Sequence, residues 1–206
     1  MKVIEYSVPM RAAIFYTPIG LMTSRNVYGL HRELLLKEAA RFISTIFEIF
    51  KHTYDAEKTI IHCGNLGGHA QRVNAHLEQL GYSTLVHQEG KLKETVDQFL
   101  SGKEQVLLIV SGEYGFDFKD IMLQFILKVP YAAMDERLRA LERTIGKEQF
   151  NRWYSMDALN RLVQEAGRVG RGAGGFGCTF ILDSKFSELE RRYGHLLPKW
   201  FKERMQ

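Results

Sequence analysis

Cysteine is scarce in this chain: two among 206 residues, Cys63 and Cys178, each inside an apolar, strand-like run. No CxxC pair and no Cys/His ligand spacing occurs, so neither a structural zinc nor an iron–sulfur cluster is expected within the chain. Two cysteines also argue against a secreted disulfide scaffold, and buried free thiols are the expectation. Long hydrophobic runs are missing as well. None approaches the ~20 apolar residues of a membrane span, and the start of the chain, with Glu5, Pro9 and Arg11, has no signal-peptide core. An intracellular protein with no membrane partner is expected, cytoplasmic or at the nucleoid or nucleus. Repeats and low-complexity tracts are absent too.

What is present describes an ordinary globular chain. Hydrophobic residues make up 45% and charged residues 25%, a balance that excludes global disorder, and the length is enough to bury a core. The formal charge of +4 permits contact with nucleic-acid phosphates without requiring it.

The pattern alternates strand and helix, which predicts an α/β fold with a mainly parallel sheet covered by helices. Residues 1–25 hold Pro9, Pro18 and Gly20 and read as an extended lead-in. Leu34 to Phe50 repeats apolar residues at helical spacing. Lys58 to Cys63 reads as a buried strand, broken by Gly64-Asn65-Leu66-Gly67-Gly68 before a helix that Gly81 stops. Ser83 to His87 reads as a strand, Leu92 to Leu100 as a helix, and Val106 to Val110 as a strand buried on both faces. Phe125 to Val129 is a further strand closed by Pro130. The charged segment 132–155 breaks the rhythm and reads as a helical insertion. Met156 to Val169 is then a helix with Ser155 as its N-cap. Phe176 to Leu182 is the last strand, and a basic helical tail follows.

Ligands of parallel sheets gather beyond the carboxyl ends of the strands, and three segments carry candidate chemistry. At Gly64 to Gly68, glycines and a helix N-terminus could receive a phosphate, or could form an ordinary strand-to-helix turn. In Ser111-Gly112-Glu113-Tyr114-Gly115-Phe116-Asp117-Phe118, the Asp117 carboxylate could accept a ribose hydroxyl or an arginine, or could cap a turn. In Gln164-Glu165-Ala166-Gly167-Arg168-Val169-Gly170-Arg171, a helix continued through the segment puts Gln164, Arg168 and Arg171 on one polar stripe. Gly167, Gly170 and Gly172 each cost a helix about 1 kcal/mol relative to alanine, which a plain surface helix has little reason to carry. Paired arginines beside a relaxed backbone suit a polyphosphate.

In this order the segments resemble the C-terminal motor domain of superfamily-two helicases, most closely the XPD/DinG-like DNA helicases. "LVQEAGRVGR" (162–171) is similar to motif VI, with "FILDSKF" (180–186) and "LLPKWF" (196–201) at the family's spacing. "SGEYGFDFKD" (111–120) looks like motif V, "FILKVPY" (125–131) matches the next strand, and "TIIHCGNLGGHAQRVNAHLEQLGY" (59–82) looks like motif IV. The resemblance spans roughly Arg25 to Gln206. It departs at Tyr114, where the family often has glutamate, and at 172–175, where an acidic residue commonly follows motif VI.

The resemblance implies a RecA-like parallel sheet with helices on both faces over 26–206, the P-loop NTPase fold without its own P-loop, with 1–25 as the connection to another domain. It implies that Arg168 and Arg171 reach ATP held by the other motor domain, Arg171 as the arginine finger, with Gln164 orienting them. Gly115 and Asp117 would line the nucleotide cleft. Gly64, Asn65, Gly67 and Gly68 would hold the backbone of single-stranded DNA, joined by Ser111 and Gly112. No GxxxxGK followed by Ser or Thr occurs, and no DEAH-like tetrad. ATP and its magnesium would therefore be held mainly by an N-terminal RecA-like domain, in cis or as a separate subunit, with no metal in this chain and no ATPase activity from this chain alone. The competing readings are a non-catalytic nucleic-acid-binding module, an RNA helicase domain (against which Gln164 stands where DEAD-box proteins usually carry histidine), and an unrelated α/β nucleotide enzyme.

Overall fold

The computed structural model describes residues 11–22, 30–64, 66–110, 116, 118, 120–170 and 175–206. Six strands form one sheet: β1 (Arg11–Gly20), β2 (Thr59–His62), β3 (Thr84–Val86), β4 (Val106–Ile109), β5 (Leu123–Ile126) and β6 (Phe176–Asp183). Their order across the sheet is β1-β6-β5-β2-β4-β3, and every pairing is parallel. The helices are α1 (Leu30–Tyr54), α2 (Gln71–Gln79), α3 (Leu92–Ser101), α4 (Glu136–Ile145), α5 (Lys147–Ala166), α6 (Lys185–Tyr193) and α7 (Lys199–Arg204). The α/β expectation of a parallel sheet with helices on both faces is met.

Alternation along the strands sorts the core. Ile61, Leu108, Phe125 and Phe180 face one side, where Leu36, Ile43 and Phe47 of α1 and Val73 and Leu77 of α2 cover them. Ile14, Ile126 and Ile181 face the other side, beneath Leu159 and Leu162 of α5 and Phe186 of α6. On that same side Ile60 and Leu107 pack under Val96 and Phe99 of α3. Two apolar clusters therefore share one face of the sheet and a single cluster fills the other.

The extended reading of the lead-in resolves into β1, an edge strand beside β6. Its register shifts between Tyr16 and Gly20, around Pro18, as expected where proline withholds a ladder N–H. Gly81 ends α2 with φ +91°. Its N–H reaches Glu78 O at 3.0 Å and that of Tyr82 reaches Leu77 O at 3.1 Å, the paired bonds of a Schellman stop. Cys63 and Cys178 are buried free thiols, and burial raises both pKa values, that of Cys178 to about 11. No helix among the described residues is long and apolar enough to cross a membrane.

Two expectations are corrected. The strand expected at Phe125–Val129 sits earlier, at Leu123–Ile126, and the chain bends at Lys128. Ser155 is no N-cap. It lies inside α5, which starts at Lys147 after Gly146 at φ +81° and runs unbroken into the segment expected as a separate helix. Buried Phe150, Ala158, Leu159 and Leu162 belong to this one helix, so no structural boundary falls at residue 155. The segment expected as an insertion holds α4, capped by Asp135 Oδ1 accepting from Leu138 N at 2.8 Å, and the first half of α5.

The carboxylate of Asp183, fully buried at the end of β6, gathers three backbone amides. Oδ1 accepts from Met22 N at 3.1 Å and Lys185 N at 3.0 Å, and Oδ2 from Val129 N at 2.9 Å. Burial raises its pKa while these bonds oppose the rise. Asp183→Asn would turn an NH2 toward at least one of these amides. The expected loss is about 2–3 kcal/mol, read as a lower urea midpoint at unchanged m-value. An unmoved midpoint would mean that the three amides do not need the carboxylate.

Candidate functional site

The segment that follows α5 does not continue the helix. Gly167 is its C-cap, and residues 168–170 run alongside Phe116, Phe118 and Ile121. Phe118 and Val169 form a parallel bridge. Phe118 N donates to Arg168 O at 3.3 Å and Gly170 N to Ile121 O at 3.1 Å. The Arg168 guanidinium donates from Nη1 to Phe116 O at 3.3 Å. This corrects the expected polar stripe: Gln164 is exposed on the last turn of α5, while Arg168 lies beyond the helix, so the two do not share a helical face. The glycines explain why. Gly170 has φ +71°, and a Cβ there would stand 2.6 Å from Gly177 N at the start of β6, so only glycine lets the two backbones cross this closely.

Among the residues the sequence singled out, Asn65, Ser111, Gly112, Gly115, Asp117 and Arg171 lie outside the described residues. The structure does bring Arg168 against Phe116 and Phe118, which flank Gly115 and Asp117 in sequence. Gly64 leaves β2 with φ +77°, and Gly67 and Gly68 lie in a π-turn, Leu66–Ala70, that leads into α2. That turn is fastened to the end of β1 by His69 Nε2 and Met22 O, 3.0 Å apart.

A polar lane that sequence reasoning missed crosses the sheet under the end of α5. Gln124 on β5 is fully buried. Its Oε1 is 3.0 Å from His62 Nε2, and its Nε2 donates to Thr179 Oγ1 at 2.8 Å and to Glu165 O at 2.9 Å. Thr179 Oγ1 in turn donates to Ala166 O at 3.3 Å. Gln124 sits beside Ile60 on β2 and Thr179 on β6, so the lane divides the two apolar clusters of this face. His62 is buried, and burial lowers its pKa to about 4, against the pull of Gln124 and with help from the charge of Arg168. The imidazole is therefore neutral near pH 7, and the 3.9 Å from its Nδ1 to Glu165 Oε2 is too long for a hydrogen bond. The signal was a histidine, a glutamine and a threonine inside apolar runs, each at a position facing α5.

At the carboxyl edge of the sheet a cleft of about 750 Å³ opens between α5, α6 and the ends of β1, β2 and β5. Gly64, Lys128, Tyr131, Asn151, Tyr154 and Arg192 are among its walls. Lys128 lies over Gly64 so closely that a Cβ on the glycine would meet its Cδ at 2.8 Å.

The family described as the helicase C-terminal domain matches residues 64–204 of this chain. Among solved structures, the fold is similar to that of S. tokodaii Xpd4, with a TM-score of 0.61 and 14% sequence identity. The similarity covers 99% of this chain and 39% of that one, so this chain spans about two fifths of the length of that protein. At such identity the likeness concerns the fold, an all-parallel RecA-like sheet. No curated protein matches the sequence.

The neutral His62 gives a pH signature. Its folded pKa of about 4 lies below the ordinary 6.5, so between those values the unfolded chain binds a proton that the folded chain refuses. Stability is lost as pH falls through this window, by on the order of 3 kcal/mol. Denaturation of the parent and of His62→Gln at pH 7 and pH 4 should show the parent losing more by that amount. Parallel losses would mean that His62 titrates normally.

Proposed function

The chain belongs to the helicase C-terminal domain family, and from that premise we propose that it is the second RecA-like motor domain of an ATP-dependent DNA helicase. The observation that carries this reading is the docking of the Arg168 segment onto Phe116, Phe118 and Ile121. A guanidinium braced by a backbone carbonyl needs little reorganisation to meet charge developing on a transferring phosphoryl group. Arg168 and Arg171 would face the nucleotide, with Gln164 beside them and Gly115 and Asp117 lining the cleft.

In this reading ATP supplies the free energy that drives closure between two motor domains. This chain contributes its arginines and its grip on DNA. The phosphates and magnesium would be held mainly by an N-terminal RecA-like domain, in cis or as a separate subunit. The backbone of single-stranded DNA would lie on Gly64, Asn65, Gly67 and Gly68, joined by Ser111 and Gly112. Glycines and amides at a turn into a helix suit a phosphodiester.

Reconstitution with a P-loop-bearing N-terminal domain tests this. The assembled pair should hydrolyse ATP in a DNA-stimulated manner. Arg171→Ala and Arg168→Ala should each lower kcat steeply, by roughly 10³-fold for the finger, while affinity for single-stranded DNA is kept. Unchanged turnover in both variants would favour a non-catalytic binding module. Helicase-like ATP hydrolysis by this chain alone, with contaminants excluded, would refute the half-site.

A further inference from the structure

We propose that Gln124 and Thr179 are positioning residues for the nucleotide-facing arginine: from the sheet they grip the last turn of α5 and thereby set where Arg168 stands. The inference rests on the reading of the chain as the second motor domain and assigns two buried residues to that reaction.

The bonds allow the lane one arrangement. Gln124 and Thr179 are register partners on β5 and β6, and both are buried. The two protons of Gln124 Nε2 go to Glu165 O at 2.9 Å and Thr179 Oγ1 at 2.8 Å. The Thr179 hydroxyl, having accepted one bond, sends its single proton to Ala166 O at 3.3 Å. Gln124 Oε1 then accepts from His62 Nε2 at 3.0 Å, which places the imidazole proton on Nε2. Every proton of the amide and the hydroxyl has a defined acceptor, so neither side chain can turn without losing a bond in a buried place.

The carbonyls they hold lie at the junction with the arginine segment. Glu165 O and Ala166 O belong to the last turn of α5, where carbonyls run out of helical partners. Glu165 O accepts a second bond, from Arg168 N at 3.1 Å. One oxygen thus joins the Gln124 amide to the backbone of the arginine, and a carbonyl has the two lone pairs this needs. Arg168 is fixed at two further points, its carbonyl by Phe118 N at 3.3 Å and its guanidinium by Phe116 O at 3.3 Å. The tie at Glu165 O leads through Gln124 into the middle of the sheet.

Strand β6 acts from two places on one face. Gly177 and Thr179 are two residues apart and so face the same way. Gly177 gives Gly170 room to cross, and Thr179 holds α5 where it ends. The strand therefore guides the chain on both sides of Arg168. The guanidinium is also within electrostatic reach of the lane: burial chiefly lowers the pKa of His62, and the charge of Arg168 adds to the effect. Apolar residues of like volume at 124 and 179 would fill the same space, so the polar pair contributes direction rather than burial.

The test uses the pair reconstituted with a P-loop-bearing N-terminal domain and reads ATP turnover, affinity for an oligothymidylate and the urea midpoint. Thr179→Val keeps the shape and removes the hydroxyl, whereas Thr179→Ser keeps the hydroxyl. Thr59→Val is the control. Thr59 Oγ1 donates to Leu123 O at 3.0 Å from an equally buried position, next to Ile60, the register partner of Gln124, and so on the opposite face of the sheet. Thr179→Val should lower kcat roughly tenfold, with KM for ATP and Kd for the oligothymidylate held within about twofold. Gln124→Met should lower kcat further, by roughly 10²-fold. Thr179→Ser should restore turnover, and Thr59→Val should lower the urea midpoint without lowering kcat. In the Arg168→Ala background Thr179→Val should reduce kcat no further, because the residue it positions is gone. An unchanged kcat in both Thr179→Val and Gln124→Met, or the same loss from Thr179→Val with and without Arg168, would overturn the positioning role and leave the motor-domain reading standing. A parent pair with no DNA-stimulated turnover would instead overturn that reading, and the positioning role with it.

Discussion

The buried carboxylate of Asp183 is the constraint on which the carboxyl edge of this sheet depends. Its two oxygens hold the amides of Met22, Val129 and Lys185, which belong to the end of β1, the exit from β5 and the start of α6. An ionised group taken out of water is costly unless hydrogen bonds replace its hydration, and here three backbone donors do so. Each donor would otherwise be an orphan where a strand ends or a helix begins. The carboxylate and the three loose ends therefore satisfy one another. The arrangement sets where Lys128, Lys185 and the π-turn stand, the last through the contact of His69 with Met22 O.

The polar lane plays the corresponding part lower on the sheet. Gln124 could be replaced in volume by an apolar residue, and two apolar clusters would then merge. The amide instead fixes alignment. Its two ends engage β2, β6 and the last turn of α5, so a one-residue slip of β5 would turn it to the α1 face and leave its partners unpaired. The last turn of α5 is also where the chain leaves toward Arg168. The hydrogen bonds to Glu165 O and Ala166 O thus settle the direction in which the arginine segment departs. A network whose central amide has partners at both ends favours one arrangement over its neighbours.

Much of this was legible in the residues because the determining physics was local. Apolar runs such as Val106–Ile109 announce strands buried on both faces, and Gly81 announces a helix stop. What escaped depends on partners distant in sequence. The edge strand β1 is interrupted around Pro18 and is recognisable only once β6 lies beside it. Ser155 looked like a cap because hydroxyl residues favour that place, yet Phe150 and Leu159 bury themselves on one continuous helix. The lane was hidden because a single polar residue in an apolar run reads as a flaw until its partners are known. Of the candidate site, the ordered motifs singled out Arg168, and its contacts with Phe116 and Phe118 came only with the structure. The cleft was not legible, since its walls come from five separate elements.

The glycines after α5 show how the two kinds of information combine. Read along the chain, they weaken a helix that would display its arginines. In three dimensions they end that helix, and the ending is what matters. A helical residue commits its backbone N–H and C=O to its own turn. Once Gly167 closes α5, Arg168 O and Gly170 N are released to pair with Phe118 N and Ile121 O. Gly170 at positive φ, set against the equally bare Gly177, lets the released segment pass between Phe118 and Ile121 on one side and β6 on the other without a side chain in the way. The arginine is consequently held by sheet-like backbone pairing to the very segment that carries the other candidate nucleotide contacts. A helix presenting the same residue would have positioned it relative to α5 alone.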